Sequence, residues 1–130
     1  MKYILLAYTN ADDWQAAAAQ MATTGELPPE VLKACEFYEG LHKELTETGE
    51  FVTTEGLSEP VHARTVRKGD GGPVVTDGPF AESKEVLVSF AILDCASYDR
   101  ALQIAARVVD ATGDAVEVRP IGEGPGPMEQ

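Results

Sequence analysis

Residues 2–8 and 86–94 are apolar at nearly every position, so no single face can gather their hydrophobic groups. Both runs are β-prone and short enough for strands. Along a strand, successive side chains point to opposite faces. In the second run Val86, Val88, Phe90 and Ile92 therefore face one way, and Leu87, Ala91 and Leu93 the other. A strand with two apolar faces belongs inside a sheet that is covered on both sides. A chain of 130 residues holds one core of that kind. One helical layer can cover one sheet face. The other is too apolar to stay wet, so association of two copies is the economical solution.

The rest of the chain supplies the helical layer and an insertion. Asn10 to Asp13 offer N-caps for a short helix, with Trp14, Ala17, Ala18 and Met21 at helical spacing and Gly25 as its stop. Trp14 reads as core or subunit contact. Pro28-Pro29-Glu30 opens the main helix, since proline suits the first turn and a carboxylate suits the positive end. Ala34, Phe37, Leu41 and Leu45 form its inner stripe, His42 lies on its surface, and Gly49 ends it. Gly40 interrupts it at a cost of about 1 kcal/mol relative to Ala, which points to a close neighbour there. Residues 51–57 form the second strand. After Pro60, residues 62–68 form a third, and Gly69-Asp70-Gly71-Gly72 turns it back into 73–76 as a hairpin. Ser97 caps a last helix, with Ala101, Leu102, Ala105, Val108 and Val109 inward and Gly113 as its stop. Residues 115–121 are the final strand. Residues 1–121 thus read as a single domain, and 122–130 as a Gly/Pro-rich tail. Strand, helix, strand, hairpin, strand, helix, strand is an α+β plan, ferredoxin-like with an inserted β-hairpin.

Charge and cysteine usage narrow the function. The balance of 22 acidic against 10 basic side chains gives a net charge of −12, which argues against nucleic acid and membrane surfaces as partners. The apolar start is too short for a signal peptide and runs into Asp12 and Asp13, so the chain reads as cytoplasmic. Cys35 and Cys95 show no metal-ligand spacing and read as two buried free thiols. The two histidines, His42 and His62, do not share a ligand motif, so neither a metal nor a cofactor is expected. The glycines of the hairpin lack the strand-and-helix context of a phosphate loop.

Chemistry concentrates at residues 76–85. Asp77-Gly78 is a turn pair, Pro79 fixes the backbone, and Phe80 is the apolar anchor of a polar loop. Glu82, Lys84 and Glu85 follow before the long strand. Carboxylates crowded together raise one another's pKa, and a nearby cation such as Arg67 lowers it. Asp77, Glu82 and Lys84 are the candidate catalytic groups, with Asp77 or Glu82 as acid/base and Lys84 or Arg67 holding an anionic substrate. Arg67, Phe80 and Glu85 are candidate substrate contacts, with Tyr8 at the end of the first strand and His62 if it comes near Asp77. The same groups equally form a polar binding site, or a salt-bridge knot that holds the loop. Glu55 and the Glu117/Arg119 pair are weaker candidates.

The string Thr76-Asp77-Gly78-Pro79-Phe80-Ala81-Glu82-Ser83-Lys84-Glu85 resembles the signature of DGPF-domain proteins, a branch of the YCII-related family. The likeness also runs through Met1-Lys2-Tyr3-Ile4-Leu5-Leu6, Glu55-Gly56-Leu57, Thr65-Val66-Arg67 and Glu117-Val118-Arg119-Pro120. The resemblance implies a homodimer whose sheets pack face to face as a dimeric α/β barrel, with clefts where the protomers meet. It implies a small-molecule cleft around residues 77–85, catalytic or not, with the reaction unassigned. The alternative it implies is a non-catalytic regulatory protein associated with an alternative sigma factor system. Related YCII proteins place a helix histidine, paired with an aspartate, about where Tyr38 stands. Tyr38 is therefore a candidate contact, and a His–Asp proton-transfer pair is not available here.

Overall fold

The computed structural model describes residues 1–79 and 84–122, so Phe80, Glu82 and the tail 123–130 lie outside the described residues. The two runs apolar on both faces become β1 (Lys2–Asn10) and β5 (Glu85–Asp94). They pair antiparallel as the inner strands of a four-stranded sheet, flanked by β2 (Phe51–Gly56) and β6 (Ala115–Pro120) in the order β2-β5-β1-β6. Helices α1 (Ala11–Thr24) and α2 (Pro29–Thr48) join β1 to β2, and α3 (Tyr98–Thr112) joins β5 to β6. This is split βαβ connectivity. Between β2 and β5 come a short 3₁₀ turn (Pro60–His62) and a separate two-stranded hairpin, β3 (Arg64–Gly69) with β4 (Gly72–Asp77).

Local chemistry sets the helix ends. The Asn10 side chain accepts from the backbone N–H groups of Asp12 and Asp13 and so caps α1. Ser97 does the same for α3, accepting from Arg100 N–H. Gly49 ends α2 at φ 84°, a left-handed conformation that costs glycine nothing. Its N–H returns to the carbonyls of Leu45 and Thr46, which turns the chain straight into β2.

One face of the sheet carries the core. Register places Tyr3 opposite Leu93 and Leu5 opposite Ala91, with Val118 and Val116 alongside on β6. Leu41 and Leu45 of α2 and Ala101, Ile104, Ala105 and Val108 of α3 pack onto them. Each large apolar side chain buried here contributes about 1.5–3 kcal/mol. Two forked ion pairs tie the helical layer together, Arg100 to Glu50 and Arg107 to Glu44.

Several expectations need correction. On α3, Leu102 and Val109 are exposed and Ile104 is the buried residue instead. At 100° per residue, positions 101, 104, 105 and 108 make the inward stripe, and 102 and 109 fall beyond its edge. Cys95 is buried, but Cys35 is exposed on the side of α2. A Cβ on Gly40 would meet nothing within 4 Å, so no neighbour demands glycine there. His62 belongs to the 3₁₀ turn, and β3 starts only at Arg64. The alternation along β5 breaks at a bulge: Ala7 pairs with Ser89 but Tyr8 pairs with Leu87, which skips Val88. Below the bulge, Leu87 rather than Val88 shares the face of Phe90 and Ile92.

Among the described residues, the second sheet face carries no part of the buried core. Ile4 pairs with Ile92 and Leu6 with Phe90 on it, all only half-buried. By itself the chain forms an open sheet, not a closed barrel.

Candidate functional site

The hairpin positions the acidic turn. A two-residue Asp70-Gly71 loop pairs Gly69 with Gly72, and that register carries Arg64 opposite Asp77 and Arg67 opposite Val74. Arg64 Nε lies 3.1 Å from Asp77 Oδ1, on a carboxylate whose side chain is 90% exposed. Arg64 is thus a cation beside Asp77 that sequence reasoning missed. Thr65 is the buried polar residue of the hairpin. Its hydroxyl donates to the Gly78 carbonyl at 2.8 Å, and Gly78 N–H donates to the Ala63 carbonyl at 2.9 Å. Gly78 meets both bonds at φ 95°, a conformation that side-chain-bearing residues avoid. Thr65 thus pins the Asp77-Gly78 turn. On the far side of the loop, the Lys84 carbonyl accepts from Ala11 N–H at 2.7 Å, which moors β5 to the start of α1.

Next to this turn, at the end of β1 and the start of β5, lies a cleft of about 570 Å³. Tyr8, Glu59, Pro79, Glu85 and Leu87 are among its walls, with Leu57, Ser58, Pro60, Ala63 and Val86. Partial burial, then the nearby Glu117 carboxylate, push the Tyr8 phenol up from 10.0, so it stays protonated and able to donate. Glu117 Oε1 is 3.5 Å from its hydroxyl, a long contact. The structure thus brings Tyr8, Glu85 and the Pro79 end of the loop to one cleft. Asp77, Lys84, Arg67 and His62 do not line it.

Tyr38 stands elsewhere, over a second cleft between α2 and the helix-covered face of the sheet. This space is about 400 Å³. Its floor is Leu5, Leu41, Leu45, Leu93, Ile104 and Val108. Its lip carries the exposed residues Cys35, Glu39 and His42 of α2 and Thr54 of β2, so the opening runs along the α2–β2 edge. The His42 ring lies on Phe51 with centroids 4.2 Å apart. A sealed, empty hole of this size would cost about 10 kcal/mol at roughly 24 cal/mol per Å³, as much as a whole domain's stability. An open cleft carries no such penalty.

Behind Tyr38 lies Asp114, between the end of α3 and β6. Burial, then the Asp114 charge, raise the Tyr38 phenol above 10.0, while a hydrogen bond with Thr112 pulls the other way. Burial raises the Asp114 carboxyl above 3.8, with Asp13 adding to the rise and a hydrogen bond from Thr9 opposing it. Sequence reasoning missed Asp114, Thr112 and this cleft. The one available signal was a carboxylate directly after a helix-stop glycine, which is common at any helix-to-strand junction.

Among the described residues, no three His, Cys, Asp or Glu side chains gather to hold a metal ion. Among them, too, no helix is long and apolar enough to cross a membrane. Comparison with known proteins finds a family model, the YCII-related domain, matching residues 1–123. A Rhizobium meliloti (strain 1021) protein described as uncharacterized is 39% identical over 84 residues, covering 62% of this chain and 67% of the relative.

Proposed function

The chain belongs to the YCII-related family, and from that premise we propose that it is a homodimeric protein binding a small polar molecule in the cleft beside residues 77–85. One observation carries the reading: Tyr8 and Glu85 meet in a cleft at the end of a half-covered apolar sheet face. Ile4, Leu6, Phe90 and Ile92 supply that face. A second copy laid against it would remove those groups from water and build a face-to-face α/β barrel. Tyr8 and Leu87 continue the same face by register, so the partner would roof the cleft as well.

The cleft's polar groups select the ligand class. A protonated phenol donates, and the Glu59 and Glu85 carboxylates accept. Together they suit a molecule bearing hydroxyl or ammonium groups.

The test has two parts. Sedimentation velocity should show a dimer for the parent and a monomer for Ile92→Glu, which puts a charge into the shared face. Thermal-shift screening against hydroxylated and amine-bearing metabolites should then find a ligand whose binding is weakened in both Tyr8→Phe and Glu85→Gln. A parent that sediments as a monomer refutes the dimer, and binding unchanged in both variants refutes the cleft.

A further inference from the structure

We propose that the cleft beneath α2 is a second binding site, for a compact molecule with an apolar body and a single amine head. It lies on the helix-covered face, so it depends neither on the dimer nor on the cleft at Tyr8 and Glu85. Protein interiors hold few voids larger than a water molecule. A space of about 400 Å³ falls instead in the range of small-molecule pockets. Apolar cavities tend to stay dry and to accept apolar guests. The floor, with Leu5, Leu93, Ile104 and Val108, offers no hydrogen-bonding side chain, so the inserted part of a ligand must be hydrocarbon or aromatic.

Helix α2 holds the space open. Its C-terminal half is seated by Leu41 and Leu45 and tied to α3 by the Glu44–Arg107 pair. Its N-terminal half keeps Cys35 and Glu39 exposed at the lip, with no fully buried side chain before Leu41.

The lip sets the sign of the head group. Glu39 lines it, and Asp114 stands behind Tyr38 with Asp13 near it. Against these carboxylates the lining offers one basic side chain, His42, which is packed on Phe51. The upward displacement of both the Tyr38 and Asp114 pKa values reflects burial among negative charge, which an arriving cation would relieve. A carboxylate guest would meet Glu39 unfavourably, whereas an ammonium would meet it favourably. Thr54 adds a hydroxyl acceptor at the same opening, and Ser89 another in the lining.

Three probes of nearly one shape test this: phenethylamine, phenethyl alcohol and phenylacetate, titrated into the full chain and followed by amide NMR. The amine should bind roughly tenfold more tightly than the alcohol, and phenylacetate most weakly. The shifted amides should cluster at Cys35, Tyr38, Glu39, Phe51 and Ala91. Glu39→Gln should bring the amine down to the alcohol's affinity, and Ala91→Leu should weaken all three probes by filling the space. The proposal is overturned if phenylacetate matches the amine, if the shifts fall at Tyr8 and Glu85 instead, or if Glu39→Gln leaves the preference unchanged. Should Ala91→Leu fail to fold, shift mapping and Glu39→Gln still decide the matter.

Discussion

Cutting the ion pair between Glu50 and Arg100 should destabilise this domain by about 2 kcal/mol, while the same cut at Glu44 and Arg107 should be hard to detect. Both pairs are forked. Arg100 reaches Glu50 at 2.9 and 3.0 Å, and Arg107 reaches Glu44 at 2.7 and 2.9 Å. They differ in exposure. The Glu50 side chain is 15% exposed and Arg100 31%, against 44% for Glu44 and 42% for Arg107. Glu50 also accepts from the Thr48 hydroxyl at 2.8 Å, and its backbone carbonyl accepts from Asp94 N–H at 2.7 Å. It therefore joins the end of α2, the start of β2, β5 and α3. Arg100→Met would leave a poorly hydrated carboxylate with only the neutral donors of Thr48 and Cys95. Charge-assisted bonds contribute about 1.5–3 kcal/mol, and partial exposure trims that toward 2. A double-mutant cycle of Glu50→Gln with Arg100→Met should give a coupling of about 1.5 kcal/mol. The exposed pair should show no coupling outside error.

Proton linkage gives an independent check. The Arg100 hydrogen bonds chiefly hold the Glu50 carboxyl below its ordinary 4.5. A depressed folded-state pKa contributes stability that is present above the unfolded value and lost as pH falls through the folded one. The Arg100→Met penalty should thus be full at neutral pH and shrink below 4.5. Urea unfolding at fixed protein concentration, at neutral pH and at about pH 3.5, measures both quantities. Equal couplings for the two pairs, or a penalty that ignores pH, would refute the argument.

Two further outcomes follow from burial. Gly40→Ala should stabilise the protein by about 1 kcal/mol, because a Cβ there meets nothing within 4 Å; a loss of stability in urea would show that α2 needs glycine. A thiol reagent such as Ellman's should titrate Cys35 quickly in the native protein and Cys95 only on unfolding, since Cys95 is buried and burial pushes its thiol up. Two fast thiols in the native state would contradict that packing.

Much of the architecture was legible because it rests on short-range chemistry. Asn10, Ser97, Gly49 and Gly113 mark helix ends through bonds to their own neighbours, and each does so in the structure. The partner of Asp77 was also within reach. A two-residue turn at Asp70-Gly71 makes every paired position in the hairpin sum to the same value, and that rule selects Arg64 over Arg67. The side-chain directions along β5 were not legible, because the bulge at Val88 arises from the pairing with β1 and leaves no mark in the β5 run itself. Tyr38 shows the same limit at the candidate site. The family likeness singled it out, but its companions Thr112 and Asp114 come from the far end of the chain.

The amino-acid order alone determined the α+β plan, the inner placement of the two doubly apolar strands and the Asp77-Gly78 turn after the hairpin. Periodicity, caps and turn preferences act over a few residues, so they can be read in one dimension. Only the tertiary structure decided that Tyr8 shares a cleft with Glu85, that Tyr38 stands over a different one, and that Arg100 closes on Glu50. Tyr8 and Glu85 are 77 residues apart and Glu50 and Arg100 are 50 apart, while the two clefts lie on different faces of the sheet, and only the packing of helices on the sheet brings such groups together or keeps them apart.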